Sequence, residues 1–199
     1  MNKYPLALQN LIALLKKLPG VGTKTAERFA FCLLNWTNED RVVMSEAIQS
    51  LTEKIQICPE CRCLQEENQC YFCDSSHRDP SLLCIISSHK DAYAIEETQT
   101  YQGLYHVLEC LLSPLDGRSA HTINLEHLKK RIKDLNTQEV VIALDATIEG
   151  DATALYLKEK ISALGIKVSR LAFGLPMGSP LEYVDGGTLS RAFLGRQIF

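Results

Sequence analysis

Val140-Val141-Ile142-Ala143-Leu144-Asp145-Ala146-Thr147-Ile148-Glu149-Gly150-Asp151-Ala152-Thr153-Ala154 holds the clearest statement of fold class in this chain. Its first five residues form a continuous apolar run, short enough for a strand and suited to one covered on both faces. From Gly150 to Leu164 the pattern turns helical. Leu82–Ile86 is a second apolar run of this kind, and Lys167–Phe173 reads as another strand. Asp91–Glu97 and Leu125–Ile132 read as helices between them. Alternating strands and helices predict an α/β body with a mostly parallel sheet. Sheets of this class place their sites where a strand ends and a helix begins. Asp145, Glu149 and Asp151 occupy that position. Carboxylates there hold Mg²⁺ through one or two oxygens, or present an acidic surface to a basic partner. The purely structural alternative is capping by Asp145, with Glu149 and Asp151 favoured by the helix dipole.

Ahead of this body the chain is helical. Leu8, Leu11, Ile12, Leu15 and Leu18 recur at a helical period, with Pro5 in the first turn. Pro19-Gly20-Val21-Gly22 ends that helix. A second helix is expected from about Thr23, with Ala26, Phe29, Ala30, Leu33 and Leu34 on one face. A third is expected from Asn38 as N-cap, with Glu39 and Asp40 in its first turn, burying Val43, Ala47, Leu51 and Ile55. Leu15-Lys16-Lys17-Leu18-Pro19-Gly20-Val21-Gly22-Thr23-Lys24-Thr25-Ala26 matches the helix-hairpin-helix pattern. Gly20 and Gly22 permit positive φ and leave the backbone open to a phosphate. The amides opening the second helix point at that phosphate, and the dipole assists. Lys24 and Arg28, four apart, share a face beside it. Lys16, Lys17, Gly20, Gly22, Thr23, Lys24 and Arg28 are therefore the expected DNA contacts. Such contacts are sequence-independent and salt-sensitive. A plain helical corner with a solvated basic face is the alternative.

Between head and body lies Cys58-x2-Cys61-x8-Cys70-x2-Cys73. Two CxxC knuckles close a tetrahedron of thiolates around Zn²⁺. Four sulfurs leave no open position for water, so one structural zinc per chain is expected, and its binding would fold a module that has almost no core. Cys63 competes with Cys61 for one ligand position, and the symmetric pairing favours Cys61. A redox pair or unrelated buried thiols are the alternatives. Cys32, Cys84 and Cys110 read as small buried hydrophobes.

Composition fits this organisation. The chain has 199 residues, 46% hydrophobic and 23% charged, which excludes a disordered or collagenous protein. No apolar run reaches the roughly 18 residues of a membrane span. The opening MNKYPLALQN does not have the features of a secretion signal, so a cytoplasmic protein without membrane association is expected. Net charge is −3, which argues against bulk nucleic-acid binding, but its distribution is uneven. Residues 1–37 carry Lys3, Lys16, Lys17, Lys24 and Arg28 against Glu27 alone. Screening confines each charge to about 10 Å, so a basic head on an acidic body can still hold phosphates. Lys129-Lys130-Arg131 reads as a solvated helix face, Tyr105 and His106 as packing residues, and Trp36 as a core edge.

This order of modules resembles the bacterial RecR family of recombination mediators. The resemblance extends through Tyr105-His106-Val107-Leu108, Leu112-Ser113-Pro114-Leu115-Asp116-Gly117, Gly174-Leu175-Pro176-Met177-Gly178 and Leu181-Glu182-Tyr183. It implies an α+β multi-module fold: a three-helix helix-hairpin-helix head (1–56), a four-cysteine zinc module or zinc finger (57–79), a Toprim α/β domain (80–173) and a C-terminal segment (174–199) serving oligomerisation. It also implies ring-like homo-oligomers, usually tetramers. RecO-like and RecF-like partners are implied, with a role in loading the RecA recombinase on gapped single-stranded DNA.

Catalytic Toprim domains carry a glutamate after the first strand and an Asp-x-Asp pair after a later one. Here these positions hold Ser87 and Asp145-Ala146-Thr147, so carboxylates needed to hold Mg²⁺ and move a proton are missing. Asp185-Gly186-Gly187 departs likewise from the family's acidic C-terminal block. A non-catalytic scaffold is therefore expected. The alternative is a Mg²⁺-dependent nuclease, primase or topoisomerase using Asp145, Glu149 and Asp151.

Overall fold

A computed structural model of the chain describes residues 4–113, 120–172 and 174–196. Pro114–Gly117 of the family motif, Phe173 of the expected last strand, and Lys3 lie outside the described residues. The chain divides into two units, the boundary falling between Ile55 and Gln56.

The first unit holds α1 (Leu6–Leu15), α2 (Thr23–Leu34) and α3 (Asn38–Lys54). Leu8 and Ile12 of α1 meet Ala26 and Ala30 of α2, with Leu11, Leu15 and Val21 packed around them. Two alanines on the facing stripe let the helices approach closely. The N-cap of α3 is Thr37 rather than Asn38, because the Thr37 hydroxyl accepts from the Asp40 amide at 3.1 Å and donates to its carboxylate at 2.7 Å. Val43, Ala47, Leu51 and Ile55, expected in a core, are all exposed, and α3 buries no residue. A three-helix head of this length has too little partner surface to cover them. Phe29, Leu34 and Trp36 are likewise exposed.

A small two-stranded sheet follows, β1 (Ile55–Ile57), whose first residue ends the first unit, and β2 (Leu64–Glu66). The second unit continues into β3 (Asp79–Ile86), α4 (His89–Glu97), β4 (Gly103–Val107), α5 (Leu125–Asp134), β5 (Glu139–Ala143), α6 (Ile148–Ser162) and β6 (Lys167–Arg170). The four main strands are parallel, in the order β4-β3-β5-β6. The strand β4 was read from sequence only as packing residues, and its motif Tyr105-His106-Val107 proves to be a sheet edge buried throughout. Successive residues of β3 serve opposite faces. Leu83 and Ile85 join Leu128, Ile132, Leu157 and Ile161 of α5 and α6 in one core. Cys84 and Ile86 face Ala92 of α4 together with Cys58, Cys61 and Phe72. The cysteine module thus covers part of a sheet face that helices would otherwise cover.

The chain passes from β3 to β4 on one side and then crosses to β5 on the other. The direction of winding therefore reverses between β3 and β5, where Ser87 and Asp145 follow the strand ends. Ser88 and Asp91 close a capping box, starting α4 at His89 rather than at Asp91. After a 3-10 turn at Leu181–Tyr183, α7 (Gly186–Leu194) begins where Asp185, its N-cap, accepts from the Thr188 amide at 2.9 Å. Among the described residues no helix is long and apolar enough to cross a membrane.

Candidate metal centre and nucleic-acid interface

Four thiols converge beside the sheet. The sulfur of Cys58 lies 3.7 Å from that of Cys73, and Cys61 lies 3.4 Å from Cys70. All four sulfurs are within 4.8 Å of one another, and no cysteine is in a disulfide. Zn–S bonds near 2.3 Å set tetrahedral sulfurs about 3.8 Å apart, so this quartet fits the ion. Each knuckle is locally determined. The Arg62 amide donates to the Cys58 carbonyl at 3.0 Å and the Cys58 amide to the Cys63 carbonyl at 2.8 Å, with Arg62 at φ 64° turning the chain back. The second knuckle is a 3-10 turn, Tyr71–Cys73. Cys63 stays outside the quartet; its amide donates to Cys61 Sγ at 3.4 Å.

The module is fastened to the body by residues with no warning in the sequence pattern. The Cys61 carbonyl accepts from the Val107 amide at 2.8 Å. Arg78, almost fully buried, donates to both oxygens of Glu96 (3.0 and 2.7 Å), to the Gly103 carbonyl at 3.0 Å, and to the Tyr71 carbonyl at 3.1 Å. Its guanidinium also lies over the rings of Tyr71, Phe72 and Tyr105. Arg131 corrects the reading of Lys129-Lys130-Arg131 as a solvated face. Lys130 is exposed, but Arg131 follows Leu128 by three positions and turns inward with it, leaving only 5% of its surface exposed. Of the three solitary cysteines, only Cys84 is fully buried; burial pushes its thiol up to about 12, which makes it inert. Cys110 is half-buried and Cys32 is exposed.

In the head, Gly20 adopts φ +78° with open space where a side chain would project. Gly22 does not share this geometry. It is extended at φ −77°, ψ 174°, and serves as N-cap of α2. No side chain caps the first amides of α2, and its first turn holds no acidic residue. Lys16, Lys17, Gly20, Gly22, Thr23, Lys24 and Arg28 are all exposed along this turn and its flanks. Lys24 reaches Glu27 only at 3.7 Å, with its side chain 96% exposed.

The three carboxylates of the strand end separate. Asp145 accepts from Ser87 Oγ at 3.3 Å, and Ser87 also donates to Asp91 at 3.0 Å. Asp151 points to the C-terminal segment, accepting from Arg170 at 2.5 Å and Arg191 at 2.6 Å, which together hold it below the usual carboxylate range. Helix capping, the structural alternative for Asp145, falls to Thr147, whose hydroxyl accepts from the Gly150 amide at 3.0 Å. Among the described residues the cysteine quartet is the one set of three or more metal-type ligands close enough to share an ion.

Family models align with three stretches: RecR, helix-hairpin-helix over residues 8–52; the Toprim domain over 81–172; and RecR, C-terminal over 174–197. The chain is 54% identical over 197 residues to the recombination protein RecR of Protochlamydia amoebophila, covering 99% of this chain and all of that one. It is 48% identical to the recombination protein RecR of Chlamydia abortus and 46% identical to that of Chlamydia trachomatis serovar D, each over the full length of both chains.

Proposed function

The chain belongs to the RecR family of recombination proteins, and we propose that it works in DNA repair as a non-catalytic, cytoplasmic mediator that grips DNA phosphates with its helix-hairpin-helix head. The uncapped amide turn around Gly20, flanked by exposed Lys16, Lys17, Lys24 and Arg28, carries this reading. A structural Zn²⁺ held by Cys58, Cys61, Cys70 and Cys73 fixes the module that covers the sheet. RecO-like and RecF-like proteins are the proposed partners, with RecA loading on gapped single-stranded DNA as the outcome. Asp145 and Glu149 offer them acidic contacts. A homotetramer is supported by the exposed apolar side chains Val43, Ile48 and Leu51 of α3 and by Phe193 and Leu194 of α7.

Each phosphate contact releases counterions, so the slope of log affinity against log salt counts them. Lys24→Ala and Arg28→Ala are each expected to reduce that slope by about one, measured by anisotropy of a labelled DNA across a salt series. An unchanged slope in both variants would place the DNA site elsewhere.

The divergence of Asp145 and Asp151 supports the non-catalytic reading. The purified protein with Mg²⁺ and DNA is expected to give neither strand scission nor nucleotidyl transfer. Activity that is present in the wild type and lost in Glu149→Gln would reverse the assignment.

A further inference from the structure

Arg131 is buried to 95% yet, among the described residues, has no carboxylate within ion-pair distance. The other buried arginine, Arg78, is matched by Glu96. A buried guanidinium needs a counter-charge, because burial without one is strongly unfavourable. Its donors show where that charge lies. Nη1 donates to the Tyr105 carbonyl at 2.5 Å and to His106 Nδ1 at 3.3 Å, while Nη2 donates to Cys73 Sγ at 3.5 Å. Arginine has only donors, so His106 must accept through Nδ1 and carry its proton on Nε2. Burial, with Arg131 adding to it, drives His106 down to about 3 and keeps it neutral, so it supplies no charge.

We propose that Arg131 is the internal cation of the metal centre, its guanidinium offsetting part of the negative charge of the thiolate cluster and fixing Cys73 through an N–H···S bond. The proposal rests on the zinc reading above. Four thiolates around a divalent ion form a net anionic cluster enclosed in a largely apolar wall. Cys84, Ile86, Phe72 and Tyr105 belong to that wall, and none offers a positive charge. Arg131 arrives from α5, in a different module, and brings the missing charge to the buried side of the cluster. It also joins the knuckle to the carbonyl of β4. Arg131 is thus a positioning residue that acts on the metal through Cys73. Lysine in its place would keep a point charge but could not reach three acceptors from one planar fork.

The test uses full-length protein loaded with zinc, and with cobalt as a spectroscopic probe. Arg131→Met should weaken zinc retention against a chelator by about 10–100-fold, as loss of a partner to a metal ligand typically does. It should also shift the thiolate-to-cobalt charge-transfer band, which a merely structural role would not move. Lys130→Met, at the exposed neighbouring position, should leave both unchanged. A folded Arg131→Met that holds zinc as tightly as wild type with an unshifted band overturns the role of Arg131. Should Arg131→Met not fold, Arg131→Lys decides instead: weaker zinc retention with a shifted band supports the proposal, and wild-type values for both overturn it. Wild-type protein that takes up neither metal overturns the zinc reading itself, and the role of Arg131 with it.

Discussion

Cys58→Ser is expected to release the metal and unfold the region around it, whereas Cys63→Ser should retain one zinc per chain. Metal binding in small zinc modules is worth roughly 10–16 kcal/mol, and a whole domain is stable by only about 5–15 kcal/mol. Losing one ligand therefore threatens more than the module. Cys58, Cys61 and Phe72 share a core with Cys84, Ile86 and Tyr105 of the sheet, so their disorder would uncover one face of β3 and β4. Metal analysis after dialysis, together with thermal unfolding, checks both variants. Cys63 is fully buried beside the quartet, so its serine variant should show a modest stability cost with full metal content. Metal loss in Cys63→Ser with retention in Cys58→Ser would exchange their roles.

Gly150→Ala should produce the second large effect, and it acts on the opposite side of the body. A methyl group at Gly150 would sit 2.0 Å from the backbone carbonyl oxygen of Asp145. Neither group can swing away, because that carbonyl belongs to the turn leaving β5 and Gly150 lies in the first turn of α6. The expected cost is at or above the upper end of the about 1–3 kcal/mol typical of overpacking, or roughly 6–12 °C in midpoint for a chain of this size. Gly174→Ala, where nothing lies within 4 Å, is the neutral control. Equal melting temperatures for the two variants would show that the turn yields freely. Displacing this turn should also loosen the Ser87–Asp145 hydrogen bond across the β3–β5 crevice.

Much of this organisation was legible in the residues because it is local. A CxxC knuckle, a glycine hairpin and an apolar strand followed by a helix are each set within a dozen positions. The expected strands Leu82–Ile86 and Val140–Leu144 shift by at most a few residues, to Asp79–Ile86 and Glu139–Ala143. The β4 strand escaped because its polar His106 breaks the apolar run, and burial of that histidine depends on Arg131 from another element. The third helix misled for the opposite reason. Its apolar spacing predicts a core face, yet among the described residues α3 buries none of its side chains.

Period, spacing and composition alone pointed to the helical head, the thiol quartet, the glycine hairpin and the α/β body, and the resemblance to the RecR family added the incomplete Toprim carboxylate set. Only the folded chain could pair Arg131 with Cys73, 58 positions apart, or draw Asp151 away from Asp145 toward Arg191, 40 positions on. Those pairings follow from strand order and from which helix covers which face. Neither leaves a mark on the local sequence, because a distant side chain meets its partner through the crossing connections of the sheet.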